Sequence, residues 1–382
     1  MYGLAAYGEL IADRVRTEAY AKALRRTVKP GAVVIDIGTG PGVWAVLACE
    51  LGASRVFAIE PDGIIQVARE VAVSNRCDHK IEFIEKMSIC FELPVQADVI
   101  VSDLRGVLPL LGGNIPSVAD ARRRFLAPGG VFVPRRDRVW AALVEAPQSY
   151  GQFVEPWEYN PLKQDLSPAR RRAVNAPQKV QMKPDQLLTQ PKLWATLDYA
   201  TIANPDVQDE LEWVVERNGT GHGILGWFDT DLLDDVGFSN APGAPETVYG
   251  SMFFPWQHPV SLAAGQNVRV NLEAKLVEDD YVWRWTTHIE PPNGTGNPRI
   301  HYEQSSLQGV LISLPTLQKH AADYVPHLSE EGRIHRRVLE TMDGQTSLEG
   351  IARRLTGEFP ARFTRWQQAL SYVCSISQKL RE

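Results

Sequence analysis

The chain has 382 residues, of which 44% are hydrophobic and 23% charged, as in an ordinary globular protein of two to three domains. The formal net charge is -6, so bulk electrostatics gives no reason to expect a nucleic acid or an anionic membrane as partner. The four cysteines form no C-x-x-C pair, which favours free thiols in a reducing compartment over disulfides or a metal site. No apolar run approaches 18 residues, so we expect no membrane span and a cytoplasmic protein.

Residues 1–134 show the pattern of an α/β domain. An N-terminal segment with apolar residues close to 3.6 spacing predicts a helix over residues 1–28. From Val33 onward, strand-like runs such as VVIDI, RVFAIE and DVIVSD alternate with helical segments. This alternation predicts a Rossmann-like domain, in which helices cover both faces of a parallel sheet.

The rest of the chain predicts two further domains. Over residues 135–315, short strand-like runs are separated by clusters of Pro, Gly and Asn, which is typical of a β-barrel or sandwich. Residues 155–192 are polar and interrupted by Pro and Arg, so we expect an arm there. Residues 328–382 return to helical spacing and predict a small separate helical module.

A glycine-rich turn, VIDIGTGPG, follows the first predicted strand at residues 34–42. Gly38 and Gly40 allow a sharp turn and let a ligand approach the backbone. Glu60 ends the next strand, where a carboxylate can accept hydrogen bonds from both hydroxyls of a ribose. A dinucleotide would need a later third glycine, and Asp36 would repel its pyrophosphate but can accept from an ammonium. The turn therefore predicts S-adenosylmethionine (SAM) as cofactor.

With these elements in place, residues 6–290 resemble the protein arginine methyltransferase family. AYGELIADRVRTEAY is similar to that family's Y-x-x-M-L-x-D-x-x-R-x-x-x-Y helix, with Leu10 in place of the methionine. VSDLRG resembles its S-E-W-M-G segment and IEKMS its adenine segment. PWQHPVSLAAGQNV is similar to its barrel, with Trp256 at the tryptophan of its T-H-W loop. The resemblance implies a homodimer in which an arm of each barrel packs on the N-terminal helices of its partner.

The resemblance also implies a cofactor site. Arg16 would pair with the carboxylate of SAM, Glu60 would hold the ribose, and Met87 would pack against the adenine. Ser88 stands where family members usually have an acid that meets the adenine amino group. The cofactor-binding residues expected on this basis are Arg16, Asp36, Gly38, Gly40, Glu60, Met87 and Ser88.

The acceptor end departs from the family, which clamps a substrate guanidinium between two glutamates. Asp103 matches the first glutamate and is the predicted catalytic residue, as a proton acceptor. Gly112 stands in place of the second glutamate, and Pro255 in place of the loop histidine. Arg105 replaces a methionine and either pairs with Asp103 or binds an anionic group of the substrate. The predicted substrate-contacting residues are Tyr7, Leu10, Arg105, Trp256 and His258.

These departures favour methyl transfer to nitrogen or oxygen of a peptide or peptide-derived natural product. Two alternatives are a true arginine methyltransferase with a rebuilt clamp and a SAM-binding scaffold protein without catalysis.

The C-terminal module resembles winged-helix modules of peptide-modifying pathways, which bind a leader peptide as an added edge strand. A plain stabilising cap is the alternative. Residues 329–382 carry nine Lys and Arg against seven Asp and Glu, which disfavours DNA binding.

Overall fold

The computed structural model describes residues 3–291, 299–319 and 321–380. The chain forms two compact units, divided in sequence between Val310 and Leu311. The helices are α1 (Leu4–Ala12), α2 (Arg14–Thr27), α3 (Val43–Glu50), α4 (Ile65–Ser74), α5 (Asn114–Phe125), α6 (Pro147–Phe153), α7 (Ser167–Ala173), α8 (Ser306–Gly309), α9 (Leu314–Gln318), α10 (Glu330–Thr341), α11 (Leu348–Glu358) and α12 (Trp366–Leu380). The strands are β1 (Val33–Ile37), β2 (Arg55–Ile59), β3 (Ile81–Ile84), β4 (Ala97–Ser102), β5 (Leu126–Val133), β6 (Arg136–Val144), β7 (Gln178–Val180), β8 (Lys192–Asp198), β9 (Val207–Val214), β10 (Gly219–Leu233), β11 (Val236–Ser239), β12 (Ser251–Leu262), β13 (Asn267–Val277), β14 (Asp280–Ile289) and β15 (Ile300–Ser305).

The first sheet has five parallel strands in the order β3-β2-β1-β4-β5. Four of the five residues in β1 and in β2 are buried, because helices cover both faces of a parallel sheet. The strand order reverses between β1 and β4, and ligands of such sheets bind in the crevice beyond the carboxyl ends of the strands at that point. The predicted Rossmann-like sheet is confirmed.

Two antiparallel sheets follow and form the barrel-like domain. One runs β7-β12-β10-β6-β8 with β11 beside β10, and the other runs β15-β14-β13-β9. Residues of β14 alternate between buried and exposed positions, as expected when one face of a strand packs on a core. Trp213, Trp256 and Trp285 are among the largest side chains of that core. The predicted fold of this domain, a β-barrel, is confirmed.

The predicted arm, residues 155–192, contains α7 and β7 with long connecting segments. Trp157 is 41% exposed, and Tyr159 and Leu162 are each 74% exposed. These apolar side chains lie close together in sequence on the surface of the first unit. They are therefore available for contact with another molecule.

The second unit has a hydrophobic core of its own, formed by α10, α11 and α12. Ser329 and Ser347 cap α10 and α11 by accepting hydrogen bonds from the backbone N–H groups of Gly332 and Gly350. Strand addition requires an exposed strand edge, and this unit contains no strand over residues 311–319 and 321–380. The predicted winged-helix mode of peptide binding therefore has no support here. Within the described ranges, no helix is both long enough and apolar enough to cross a bilayer.

Candidate active site

A cavity of about 310 Å³ lies at the carboxyl ends of β1, β2 and β4. The glycine turn after β1, Glu60 after β2 and Asp103 after β4 form its wall, because parallel strands bring their carboxyl ends to one edge. Helices α1 and α2 contribute Tyr7, Leu10 and Arg16. The fold thus gathers four segments that are separated in sequence around one cavity.

The glycine turn presents its backbone to this cavity. Gly38 and Gly40 have positive φ values of 71° and 53°, a conformation that favours glycine. A Cβ atom at Gly40 would lie 2.8 Å from the ring of Tyr7, so a larger residue would not fit under α1. The turn therefore needs glycine both for its backbone angles and for its close approach to the helix above it.

Two carboxylates hold this turn in place. The Glu60 side chain accepts hydrogen bonds from the backbone N–H groups of Gly40 and Asp62, both at 3.1 Å, and burial raises its pKa. Asp36 accepts from the Thr39 hydroxyl at 2.5 Å and from the backbone N–H of Ala45 at 3.1 Å. Burial raises the pKa of Asp36 to about 7.

These residues fit a cationic amino-acid cofactor such as SAM. Asp36 Oδ1 is buried and has no hydrogen-bond partner among the described residues, which suits an ammonium group, although Asp36 itself does not line the cavity. Arg16 Nη2 makes no hydrogen bond to the part of the chain that the structure describes, so it is available to a carboxylate. Glu60 lines the cavity at the position expected for a ribose. When bound, SAM supplies an electrophilic methyl group on a sulfonium.

Asp103 also lines the cavity and is enclosed by donors from this chain. One oxygen accepts from Arg16 Nε at 2.5 Å and the other from Arg105 Nη1 at 3.0 Å. The Tyr249 hydroxyl lies 2.8 Å from both oxygens. Burial alone would raise the pKa of Asp103, but the charges of Arg16 and Arg105 outweigh it and lower the pKa. Asp103 is consequently a weak base.

Arg105 is held by partners on every side. Its Nε donates to Asp137 at 2.8 Å, Nη1 also donates to the Tyr20 hydroxyl at 2.6 Å, and Nη2 donates to Thr230 at 2.7 Å. The side chain of Arg105 is 2% exposed and that of Asp137 is 0% exposed. Of the two roles that the sequence leaves open for Arg105, the structure shows the pairing with Asp103.

Tyr249 is a site residue that the sequence analysis missed. It belongs to the segment Thr247-Val248-Tyr249, between β11 and β12, and besides Asp103 it lies 3.2 Å from Arg16 Nε. The backbone N–H of Val248 donates to Asp13 at 2.8 Å, and Asp13 also caps α2. Thr247-Val248-Tyr249 has a threonine two residues before an aromatic residue, as the T-H-W loop of the family does. This similarity is the sequence signal that could have identified Tyr249, in place of Trp256, as the residue of that loop.

The structure does not bring every predicted residue to the cavity. Trp256 is fully buried in the barrel core and does not line the cavity. His258 lines a different concavity with Arg170, whose Nη2 lies 3.1 Å from its Nδ1. Met87 is 46% exposed and Ser88 is buried, and neither belongs to the cavity wall. Over the described residues, no group of three or more His, Cys, Asp and Glu could hold a metal ion.

Two protein families match successive parts of the chain. The family described as ribosomal protein L11 methyltransferase (PrmA) matches residues 16–143. The PRMT5 oligomerisation domain matches residues 149–308. The first match covers most of the residues that line the cavity, and the second covers most of the barrel and arm.

The chain is also similar to curated and solved proteins named as arginine methyltransferases. Protein arginine N-methyltransferase PRMT10 of Arabidopsis thaliana is 24% identical over 341 residues, covering 78% of this chain and 87% of that protein. A probable protein arginine N-methyltransferase 6 of the same plant is 30% identical, covering 59% of this chain and 53% of that protein. The structure of Arabidopsis arginine methyltransferase 10 superposes with a TM-score of 0.68, at 24% identity, over 79% of this chain and 97% of that one.

A second solved structure, the Trypanosoma brucei PRMT1 enzyme–prozyme complex with AdoHcy, superposes with a TM-score of 0.71 at 18% identity. The superposition covers 79% of this chain and 98% of that one. The chain is an S-adenosylmethionine-dependent methyltransferase. In this methyltransferase, the cavity wall contains Arg16, Gly38, Gly40 and Glu60 of the expected cofactor-binding residues, but not Asp36, Met87 or Ser88.

Proposed function

We propose that the methyltransferase transfers the methyl group of SAM to an uncharged nitrogen or an ionised oxygen of a peptide or protein, and not to an arginine guanidinium. One observation carries this proposal. Asp103 is the carboxylate at the acceptor end, and both its oxygens already accept hydrogen bonds from Arg16, Arg105 and Tyr249. Gly112, at the second clamp position, supplies no carboxylate.

The chemistry of this acceptor follows from the lack of a strong base. In an in-line displacement the acceptor lone pair forms the new bond to carbon while the carbon–sulfur bond breaks, leaving S-adenosylhomocysteine. Asp103 has a lowered pKa and would accept a proton poorly. The acceptor therefore has to carry a free lone pair near neutral pH, as an imidazole nitrogen or a carboxylate oxygen does.

The peptide nature of the acceptor is supported by the relatives, which are named as protein methyltransferases. A peptide-derived natural product is one such acceptor. We also propose a homodimer in which the arm, residues 155–192, packs on the partner. The exposed side chains of Trp157, Tyr159 and Leu162 on that arm support the assembly.

The test is methyl transfer from SAM labelled in its methyl group to peptide pools that do or do not contain arginine. Mass spectrometry would locate the label, and treatment with base would separate labile esters from stable N-methyl products. We expect label on residues other than arginine in both pools. Methylarginine as the main product would contradict the proposal.

A second candidate is a true arginine methyltransferase with a rebuilt clamp, favoured by the 24% identity over 341 residues to a protein of that name. It predicts label only in the pool that contains arginine.

A further inference from the structure

We infer that Arg105 is a specificity-determining residue whose guanidinium occupies the place at Asp103 that a substrate arginine would take. The inference rests on the proposed function and deepens it by naming the residue that excludes arginine. It also identifies the change that would admit arginine to the site.

The first argument is the position of Arg105. Its Nη1 lies 3.0 Å from Asp103 Oδ1, which is the geometry of a guanidinium bound to an acceptor carboxylate. The opposite oxygen of Asp103 is bound by Arg16. A third guanidinium would therefore find both oxygens occupied.

The second argument is that Arg105 cannot easily move aside. Asp137, on β6, and Thr230, on β10, bind its Nε and Nη2, while the hydroxyl of Tyr20, on α2, accepts from Nη1. Tyr199 donates to the same Asp137 oxygen at 2.6 Å. Withdrawal of Arg105 would break these buried bonds and leave Asp137 as an unpaired buried charge, which is strongly unfavourable.

The third argument is the charge balance. Arg16 and Arg105 are balanced by Asp103 and Asp137, so this buried network is neutral without substrate. Arg105 therefore supplies a counterion that the two buried carboxylates need when no substrate is bound, and its removal alone would leave one negative charge uncompensated.

Arg105 and Asp137 have to be changed together, because either one alone would leave a buried charge. The double variant Arg105→Gln with Asp137→Asn keeps hydrogen-bonding groups at both positions and removes one charge of each sign. Asp103 then faces Arg16 alone. Arg105→Lys is the matched control, since it keeps the positive charge beside Asp103.

The experiment is calorimetric titration of each protein, saturated with S-adenosylhomocysteine, with an arginine peptide and with the same peptide containing citrulline. Citrulline has nearly the shape of arginine but no charge. We expect no preference for arginine in the wild type or in Arg105→Lys. The double variant should bind the arginine peptide at least tenfold more tightly than the citrulline peptide.

Two results would overturn the inference. One is a double variant that melts cooperatively and binds S-adenosylhomocysteine but has no preference for arginine. The other is a wild-type protein that already binds the arginine peptide tenfold more tightly than the citrulline peptide. That result would refute the exclusion of arginine by Arg105 even if the double variant does not fold. Arg105→Met with Asp137→Asn is a second route to the same charge removal. Failure to label any peptide in the transfer assay would contradict the proposed function. The peptide affinities measured by calorimetry would still test the role of Arg105.

Discussion

Replacement of Asp103 by asparagine separates a structural role of this carboxylate from a catalytic one. The substitution keeps the size of the side chain and removes its charge. Arg16 and Arg105 would then share only Asp137 as a buried counterion. Asp103 is 4% exposed, and its two partners Arg16 and Arg105 are 9% and 2% exposed, so solvent screens the lost charge very little.

The expected loss of stability in Asp103→Asn follows from that burial. Removal of one partner from a buried ion pair costs about 3–5 kcal/mol, because the other charge stays uncompensated. At about 2–4 °C per kcal/mol, the melting temperature of the first unit should fall on the order of 10 °C. Asp235→Asn is the matched control, since its ion pair with Arg26 is exposed to solvent and should contribute little to stability.

The pH dependence of the loss has a definite sign. The pKa of Asp103 is lowered in the folded state, so its ionised form stabilises the fold fully above the usual carboxyl pKa of about 4. That contribution is lost as the pH falls through the lowered folded pKa. The difference in melting temperature between wild type and Asp103→Asn should therefore be constant near neutral pH and shrink in acid.

The assay is thermal unfolding followed by circular dichroism, together with the rate of methyl transfer. If Asp103 were a general base facing the acceptor, turnover would fall by about a hundredfold or more while stability stayed the same. Unchanged unfolding with a large loss of rate would refute the network argument and support the catalytic role that the sequence predicts.

Glu60→Ala should weaken SAM binding by about tenfold to a hundredfold, since each hydrogen bond to a charged group contributes about 1.5–3 kcal/mol; calorimetry against the exposed control Glu50→Ala would test this. SAM affinity should rise about tenfold from pH 6 to pH 8, because Asp36, whose pKa is raised to about 7, must ionise to bind the ammonium group of SAM. An affinity that does not change with pH would contradict this role of Asp36. A fragment that ends at Val310 should bind SAM as the full chain does, because the second unit has its own core, and a large loss of affinity would show otherwise. Light scattering should give a dimer at micromolar concentration and a monomer for Tyr159→Ala, whereas a wild-type monomer would count against the arm.

The proximity of the glycine turn and Glu60 could be predicted from the sequence because its signals are local. The turn after β1 needs glycines, and a carboxylate that ends β2 lies beside that turn in any parallel sheet of this order. Gly40 and Glu60 are in fact hydrogen-bonded to each other. The alternation of strands and helices likewise gave the parallel sheet, since hydrophobic periodicity reports directly on which face of each element is buried.

The acceptor end depends on contacts that no local pattern encodes. The sequence left two partners open for Arg105, and only the fold places Asp137, 32 residues away, against its guanidinium. Tyr249 reaches Asp103 across 146 residues, whereas Trp256, chosen from its neighbours in sequence, is buried in the barrel core. A buried charge has to find counterions wherever packing brings them, so the partners of Asp103 and Arg105 were decided by the meeting of α2, the loop after β4 and the barrel strands.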